Sequence, residues 1–270
     1  MISLYPLTEF KLPIIAECIS PDVFQNKKRE EIEDLKVWEG NKQKTLKELF
    51  RVDETKPDES SIVIHGDVNK ARRVGALMTG GQIMINGNVG MHLGEEMRGG
   101  KITVNGNVGG WTGSMIKGGE IEIHGNASDY LGAPYRGCSE GIRGGRITVY
   151  GNAGNEAGAH MKKGTLKIYG DAGQFAGFRM SDGTIYVQKG CKARTGACMV
   201  SGKIIVGGLL ESILPTFTID SIKAKVKIEE GETAEGPFYV FLGDITEHGD
   251  GKLFVSKDRN QHLSSYEKLL

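Results

Sequence analysis

Apolar and polar residues alternate over short stretches between positions 61 and 208, and these stretches recur at a fixed spacing. Each stretch holds two aliphatic residues separated by one other residue. The pairs are Ile62/Ile64, Ile83/Ile85, Ile102/Val104, Ile121/Ile123, Ile147/Val149, Leu166/Ile168, Ile185/Val187 and Ile204/Val206. Alternating β-branched residues predict strands with one buried face. Because glycines interrupt the residues between the stretches, no helix is expected there.

The glycines follow the same period, and the clearest copy of the repeat, residues 94–106, reads GEEMRGGKITVNG. The first glycine of the copies is found at Gly75, Gly94, Gly113, Gly158, Gly177 and Gly196. The second, in the seventh position, is found at Gly81, Gly100, Gly119, Gly145, Gly164, Gly183 and Gly202. The step is 19 residues (94 − 75) except for one step of 26 (145 − 119). A seven-residue insertion (26 − 19) at 133–139 accounts for the long step and puts Ser139 where other copies have their first glycine.

A period near 20 is typical of a solenoid, in which each unit buries its apolar face only against its neighbours. Units of strand and turn, stacked in register about 4.8 Å apart, form a parallel β-helix. The sequence therefore predicts a mainly β protein whose central part is a parallel β-helix of about seven coils. Residues of equal phase should then be neighbours. One such column, rich in methionine, is predicted to lie in the core: Met78, Met97, Ile116, Ile142, Met161, Met180 and Met199.

The segments on either side of the repeat lack its period. Residues 1–60 predict a small α+β segment with strands at 10–16 and 35–38, helix propensity at 45–50 and a polar linker at 53–60. Residues 209–270 predict a β-rich cap with strands at 221–228, 238–242 and 252–255. Because the open ends of a β-helix expose unpaired backbone groups, both segments are expected to cover them.

The overall charge is balanced, with 34 Lys and Arg against 34 Asp and Glu. This balance argues against nucleic acid or an anionic membrane as a partner. No stretch approaches 18 apolar residues and no signal peptide is evident, so a cytoplasmic protein is expected. The four cysteines form no C-x-x-C motif and are predicted to be free thiols: Cys18, Cys138, Cys191 and Cys198.

Candidate chemistry is sparse. Residues 94–101 come close to a phosphate-binding loop but lack the following Ser or Thr, no G-x-S-x-G occurs, and the six histidines show no metal-ligand spacing. A group of carboxylates could form an acidic cleft, as in β-helical polysaccharide enzymes, although a salt-bridged surface is favoured: Glu95, Glu96, Glu120, Glu122 and Asp129. No catalytic, cofactor-binding or metal-binding residue is predicted in this chain.

One column of the repeat stacks positive charge on four consecutive coils. Its members are Arg98, Lys117, Arg143 and Lys162. Such a stack costs energy unless the side chains diverge or an acidic surface covers them. The insertion, with Pro134, Tyr135 and Arg136, is expected beside the same edge. A subunit interface is therefore predicted there, with solvated side chains as the open alternative.

The repeat G-x-x-M-x-x-G-x-I-x-I-x-G, the step of 26 and the flanking segments resemble the C subunit of formylmethanofuran dehydrogenase. The repeat is also similar to that of the C-terminal domain of the glutamate synthase large subunit, a right-handed β-helix. The resemblance implies that handedness. The C subunit of a bacterial formyltransferase/hydrolase complex is a nearly equal match. A free-standing β-helical carbohydrate enzyme is the alternative of another class.

The resemblance also implies a role. It implies a subunit of a complex that reduces CO2 with methanofuran to formylmethanofuran in methanogenesis. In that family a tungsten or molybdenum pterin, iron-sulfur clusters and a dinuclear metal site are carried by other subunits. The family pattern is the repeat itself and transfers no catalytic residue, so a non-catalytic scaffold subunit is expected.

Overall fold

The computed structural model describes residues 1–54 and 60–270, and within these residues the protein is mainly β. The described strands form a 13-stranded sheet and a 4-stranded sheet, and neither closes on itself. Of the linker predicted at 53–60, residues 55–59 lie outside the described part of the chain. No helix in the described residues is long and apolar enough to cross a membrane.

Each unit of the repeat, called a coil below, contributes one strand to the large sheet. Consecutive coils pair in parallel and in register, so that Ile102 lies opposite Ile121 and Ile121 opposite Ile147. This pairing confirms the predicted stacking of residues of equal phase. The strands from 61 to 206 are β6 (Ser61–His65), β7 (Ala71–Arg72), β8 (Gln82–Asn86), β9 (Lys101–Val104), β10 (Glu120–Ile123), β11 (Arg143–Val149), β12 (Lys163–Ile168), β13 (Thr184–Val187) and β14 (Lys203–Val206), where β7 belongs to the small sheet.

The inner face of the large sheet is the core of the repeat. All sixteen aliphatic residues of the predicted pairs are at most 1% exposed, and the whole methionine column is fully buried. Both predictions are confirmed. A second set of buried residues forms single parallel bridges from coil to coil: Val68, Val89, Val108, Ala127, Ala153, Ala172, Cys191 and Leu210.

Every predicted repeat glycine has a positive φ, which L-residues with side chains rarely adopt. Gly100 shows why the position is also closed sterically. Its φ is +82°, and an added Cβ would lie 2.5 Å from Cε of Met78 and 2.7 Å from the carbonyl oxygen of Gly81. The glycine therefore allows one coil to approach the next.

The insertion is correctly located, but its register differs from the prediction. Gly132, not Ser139, occupies the first-glycine position, with φ of +69° and its N–H donating to Thr112 O at 2.8 Å. Ala133 still makes the repeat's turn, and the regular pattern resumes at Gly141, which donates to His160 O at 2.9 Å. The extra residues are therefore 134–140. A single glycine before the loop is enough for the turn, so Ser139 need not make it.

A ladder of polar side chains also ties the coils together. The side-chain oxygen of Asn107 accepts from the backbone N–H of Asn126, and that of Asn126 accepts from Asn152, each at 2.8 Å. The column continues through Asp171, which donates its N–H to Asn152 and accepts from Gly190. These side chains take the place of backbone pairing at the corner after each strand.

The N-terminal segment is built into the repeat rather than set apart from it. Strand β1 (Ile2–Pro6) pairs in parallel with β6 and antiparallel with β5 (Phe50–Glu54), so it continues the ladder of coils. The predicted strand at 10–16 is reduced to two residues, and the predicted helix at 45–50 is a single 3-10 turn, because Phe50 already begins a strand. The elements are β1 (Ile2–Pro6), β2 (Ile14–Ile15), α1 (Pro21–Phe24), α2 (Arg29–Glu33), β3 (Lys36–Glu39), β4 (Lys42–Thr45), a 3-10 turn (Leu46–Glu48) and β5 (Phe50–Glu54).

The C-terminal segment adds three strands to the other end of the large sheet, as predicted. They are β15 (Thr218–Glu229), β16 (Glu232–Gly243) and β17 (Gly251–Ser256), with 3-10 turns at Ile245–Glu247 and Gln261–Leu269. β17 pairs in parallel with β14 and takes the place of a further coil. β15 and β16 form a hairpin whose tip reaches back along the sheet, where Glu229 pairs with Arg146 at 2.8 Å and with Lys167 at 2.8 Å.

Candidate functional site

The insertion loop (residues 134–140) is the main departure from the repeat's surface and lies across its glycine-rich corner. Pro134 is buried against the coil, whereas Tyr135 and Arg136 are exposed. The loop turns back on itself through a hydrogen bond from Cys138 N to Tyr135 O at 3.0 Å, next to Gly137 with φ of +87°. The loop thus presents two large side chains on a rigid support.

Tyr135 attaches the loop to a coil far back in the chain. Its hydroxyl lies 3.1 Å from Nδ1 of His92, and the two rings are 5.2 Å apart. Burial, together with hydrogen bonding to Glu95 and the charge of that carboxylate, raises the pKa of Tyr135. Burial lowers the pKa of His92. The charge of Glu95 raises it, and the charges of Arg73 and Arg72 lower it. His92 is therefore neutral near pH 7 and accepts or donates one directed hydrogen bond.

Glu95 is a buried carboxylate below this contact, only 3% exposed. Its Oε2 lies 3.0 Å from Nη1 of Arg73, but the geometry does not make a directed hydrogen bond. Arg73 also pairs with Glu17 at 3.0 Å, which connects the N-terminal segment to the same group. The distance shows that opposite charge compensates Glu95, although less well than a bidentate pair would.

A column of bulky residues runs beneath the loop, two positions before each first glycine. All seven have positive φ, between +56° and +66°: Arg73, His92, Trp111, Tyr130, Glu156, Phe175 and Arg194. The rings of His92 and Trp111 stack at 5.5 Å and those of Trp111 and Tyr130 at 4.4 Å. Stacking of aromatic rings from successive coils offsets part of the cost of left-handed backbone in residues with a Cβ.

Loop and column enclose a cavity of about 170 Å³, lined among others by Trp111, Tyr130, Arg136, Glu156 and His160. Burial lowers the pKa of His160, and the charges of Arg179 and Lys162 act in the same direction. Aromatic rings beside an arginine are the composition that protein interfaces favour in their centres. This surface is therefore suited to receive a side chain from another protein.

Lys117, Arg143 and Lys162 make equivalent backbone hydrogen bonds to the preceding unit, as members of one column should, but their charges are not uncompensated. Lys117 pairs with Glu96 at 2.8 Å, and Glu140 of the insertion loop contacts both Arg143 and Lys162. Arg98 alone of the four forms no ion pair within the described residues, and it is exposed. The premise of four unbalanced charges was wrong, because the insertion supplies a carboxylate that sequence spacing could not place.

The other carboxylates considered for an acidic cleft belong mainly to salt bridges on the sheet surface. Glu122 pairs with Lys101 at 2.9 Å, and Glu120 with Arg146 at 3.0 Å. The favoured interpretation of a salt-bridged surface is confirmed for these residues. In the part of the chain that the structure describes, no group of three or more His, Cys, Asp and Glu side chains could hold a metal ion.

Sequence reasoning missed the groups that hold the loop, namely His92, Glu95, Glu140 and the rings of Trp111 and Tyr130. A signal was present, since Arg73, His92, Trp111 and Tyr130 follow one another at the repeat's own spacing. Comparison of the positions two before each first glycine would have found the aromatic column. The contact of Tyr135 with His92 had no such signal, because the loop does not repeat.

Comparison with known proteins gives the chain's family. The C subunit of the tungsten-containing formylmethanofuran dehydrogenase 2 of Methanococcus maripaludis is 46% identical over 261 residues, which cover 94% of this chain and 96% of that protein. The chain belongs to the family of formylmethanofuran dehydrogenase C subunits. The C subunit of the molybdenum-containing formylmethanofuran dehydrogenase 1 of Methanothermobacter marburgensis is 42% identical over 91 residues, or 34% of this chain. No family model matches the chain.

Coverage differs among these relatives. In Methanothermobacter marburgensis the match spans only 23% of the length of the molybdenum enzyme's C subunit and 36% of the tungsten enzyme's C subunit. A solved structure, the formyltransferase/hydrolase complex of Methylorubrum extorquens with methylofuran, contains a chain with a TM-score of 0.85 and 29% identity. That alignment covers 94% of this chain and 99% of the other. A chain of that larger assembly therefore has the same fold as this protein.

Proposed function

We propose that this chain is a non-catalytic subunit of a formylmethanofuran dehydrogenase complex, which reduces CO2 with methanofuran to formylmethanofuran in methanogenesis. The observation that carries the proposal is the 46% identity to a C subunit of that enzyme along nearly the whole of both chains. The chain contributes a rigid support that fixes the positions of larger subunits. Each coil is set by its two neighbours, and a stack of this kind resists bending.

The non-catalytic role is supported by how the chain uses its ionisable groups. Tyr135 and His92, whose pKa values are shifted, are engaged with each other and with the neighbouring Glu95, and they hold the loop. Glu96, in the turn next to Glu95, and Glu120 and Glu122, on the sheet, are engaged in salt bridges. On this proposal the tungsten or molybdenum pterin, the iron-sulfur clusters and the dinuclear metal site belong to partner subunits. The free thiols support a reducing, cytoplasmic location.

The repeat of residues 61–208 is, on this proposal, a right-handed parallel β-helix related to the C-terminal domain of glutamate synthase. Parallel strands in register and a second column of parallel bridges support such a winding. Residues 1–60 and 209–270 are the pieces that cap it, and their strands β1 and β17 extend the ladder at either end.

The surface around the insertion loop is the proposed interface with a partner subunit. Arg98 and Arg136 are its exposed cations that form no ion pair within the described residues, and the other residues assigned to it are Pro134, Tyr135, Lys117, Arg143 and Lys162. Arg98→Glu combined with Arg136→Glu should weaken co-purification of the chain with its partners, because two cations would be reversed without loss of an internal salt bridge. The control is Lys36→Glu with Lys42→Glu, an equal charge change on the exposed β3–β4 hairpin. Equal assembly of both double variants would place the interface elsewhere.

The central test is isolation of the complex from the native source, with mass spectrometry of its components. Larger subunits that bind the metals should co-purify with the chain. The full chain purified alone should then bind no stoichiometric transition metal and show no oxidation of formylmethanofuran. A stoichiometric metal or turnover in the isolated chain would refute the non-catalytic role.

One specific observation favours a second candidate, the C subunit of a formyltransferase/hydrolase complex. The structural agreement with that complex covers 99% of the matched chain. The two candidates differ in the partners that co-purify: a metal-pterin subunit supports the dehydrogenase, and its absence from an otherwise complete assembly supports the second candidate.

A further inference from the structure

A groove lined by five lysines lies where the C-terminal hairpin meets the large sheet. Its volume is about 290 Å³, and Val226 and Phe254 form an apolar floor. Both floor residues are buried. The lysines of this lysine groove are Lys203, Lys223, Lys225, Lys227 and Lys252.

These five charges have no salt-bridging carboxylate in the part of the chain that the structure describes. None of the five lysines forms an ion pair within residues 1–54 and 60–270. Glu235 lies opposite Lys225 in the strand register, and Asp182 and Asp250 line an adjoining groove together with Lys203 and Lys252, but none of the three carboxylates makes a salt bridge with the five lysines. The Nζ of Lys203 instead donates to the carbonyl oxygen of Lys227. Burial, followed by the charge of Lys227, lowers the pKa of Lys203.

Other lysines on the same sheet form salt bridges. Lys101 pairs with Glu122, and Lys167 pairs with both Glu229 and Glu232. The chain as a whole has equal numbers of acidic and basic residues. The unbalanced charge is therefore a local property of the lysine groove, not a consequence of a basic protein.

Protection of a sheet edge explains only part of the lysine groove. β15 is the outermost strand of the large sheet, and lysines on such a strand discourage pairing with other chains. Lys203 and Lys252 lie instead on β14 and β17, which are interior strands paired with each other. They stand directly opposite one another, an arrangement that is destabilising for like charges. A partner of opposite charge would remove this cost.

We propose that the lysine groove receives an acidic, extended segment of another subunit, whose carboxylates pair with the lysines while an apolar side chain contacts Val226 and Phe254. The inference rests on the proposed role as a subunit of a complex. A polypeptide fits a groove with a buried apolar floor. Nucleic acid would call for a broader basic surface with exposed aromatic rings for stacking.

Chemical labelling of the intact complex and of the isolated full chain tests this. An amine-reactive reagent should modify Lys223, Lys225, Lys227 and Lys252 in the isolated chain and lose most of that reaction in the complex. Lys189 and Lys192, exposed and outside the lysine groove, are the internal reference. A carbodiimide, which joins amines to carboxylates in direct contact, should then link lysines of the groove to Asp or Glu of a partner subunit.

A variant gives an independent measurement. Lys223→Gln, Lys225→Gln and Lys227→Gln together should lower the salt concentration at which the chain dissociates from the complex, because fewer ion pairs hold it. Lys189→Gln with Lys192→Gln should leave that concentration unchanged. Circular dichroism of both variants verifies that the chain is folded.

The outcomes separate the two proposals. If the complex assembles but the lysines react equally with and without partners, the lysine groove is merely solvated and the inference is wrong, while the subunit role stands. Protection that disappears after nuclease treatment would assign the groove to nucleic acid and also overturn the inference. If no larger subunit co-purifies at all, the proposed function itself fails.

Discussion

The hydroxyl of Tyr135 lies 3.1 Å from Nδ1 of His92, across 43 residues of chain. The contact joins a non-repeating loop to a column that repeats on every coil. It also encloses the buried carboxylate of Glu95, whose contact contributes to the raised pKa of Tyr135. The loop is thereby held against the stack and can present Arg136 in a defined position.

Removal of this contact should loosen the loop without unfolding the protein. Tyr135→Phe should cost about 0.5–1.5 kcal/mol, the range for one hydrogen bond. Amide hydrogen exchange at Cys138, whose N–H donates to Tyr135 O, should become faster. Tyr150→Phe is the control, because it removes a hydroxyl contact with Glu122 on the sheet surface, outside the loop. Unchanged exchange at Cys138 in Tyr135→Phe would show that the loop holds itself in place.

The same loop should control the titration of His92. Burial is the main reason that the pKa of His92 lies below its ordinary value of 6.5. Tyr135→Ala should expose the imidazole and raise its pKa towards 6.5, as measured by NMR titration of the full chain. The pKa of His160 should change less, since that ring does not contact Tyr135 through a hydrogen bond. A His92 pKa that stays low would mean that burial by the loop does not set it.

Two glycines provide a matched test of coil-to-coil contact. Gly100→Ala should destabilise the protein by about 2–4 kcal/mol, because it combines left-handed backbone with a steric clash. Gly80→Ala should be neutral or slightly stabilising, since nothing lies within 4 Å of its added Cβ and its φ is not positive. Chemical denaturation of both variants measures the difference. Equal midpoints would contradict the close approach of coils at Gly100.

The assignment of inward-facing and outward-facing residues can be tested on two neighbouring strands. Ile123 is fully buried, and Ile123→Ala should cost about 2–4 kcal/mol through lost contacts and a cavity. Thr103 lies on the outer face opposite Glu122, and Thr103→Ala should remain within about 0.5 kcal/mol. The measurement is again the unfolding free energy. Similar losses for the two variants would overturn the assignment of inner and outer faces.

A surface salt bridge should be visible as a pH effect. The hydrogen bond from Lys101 holds the pKa of Glu122 below its ordinary value of 4.5. The folded pKa is therefore lower than the unfolded one, so the pair stabilises the protein above about pH 4.5 and this contribution is lost as the pH falls through the folded pKa. In Lys101→Gln the pKa of Glu122 should rise towards 4.5, whereas in Lys44→Gln it should not change. NMR titration of the Glu122 carboxyl measures both.

The sequence by itself determined the parts of this protein that repeat. The spacing of the glycines, the inward aliphatic pairs such as Ile102 and Val104, and the methionine column all follow from a period that each coil repeats. Because all copies share one phase, the phase of any single strand is also given by the others. For this reason the strands and the core could be assigned residue by residue.

Only the tertiary structure decided the features that occur once. The step of 26 residues does not say on which side of the turn the insertion begins, so the spacing predicts Ser139 at the glycine position, whereas Gly132 holds it. Glu140 neutralises Arg143 and Lys162 through the path of a single loop. Lys167 points outward, as alternation predicts, yet is only 8% exposed because the β15–β16 hairpin pairs with it through Glu229 and Glu232. Periodicity fixes which way a side chain points, whereas contacts between distant segments fix what lies opposite it.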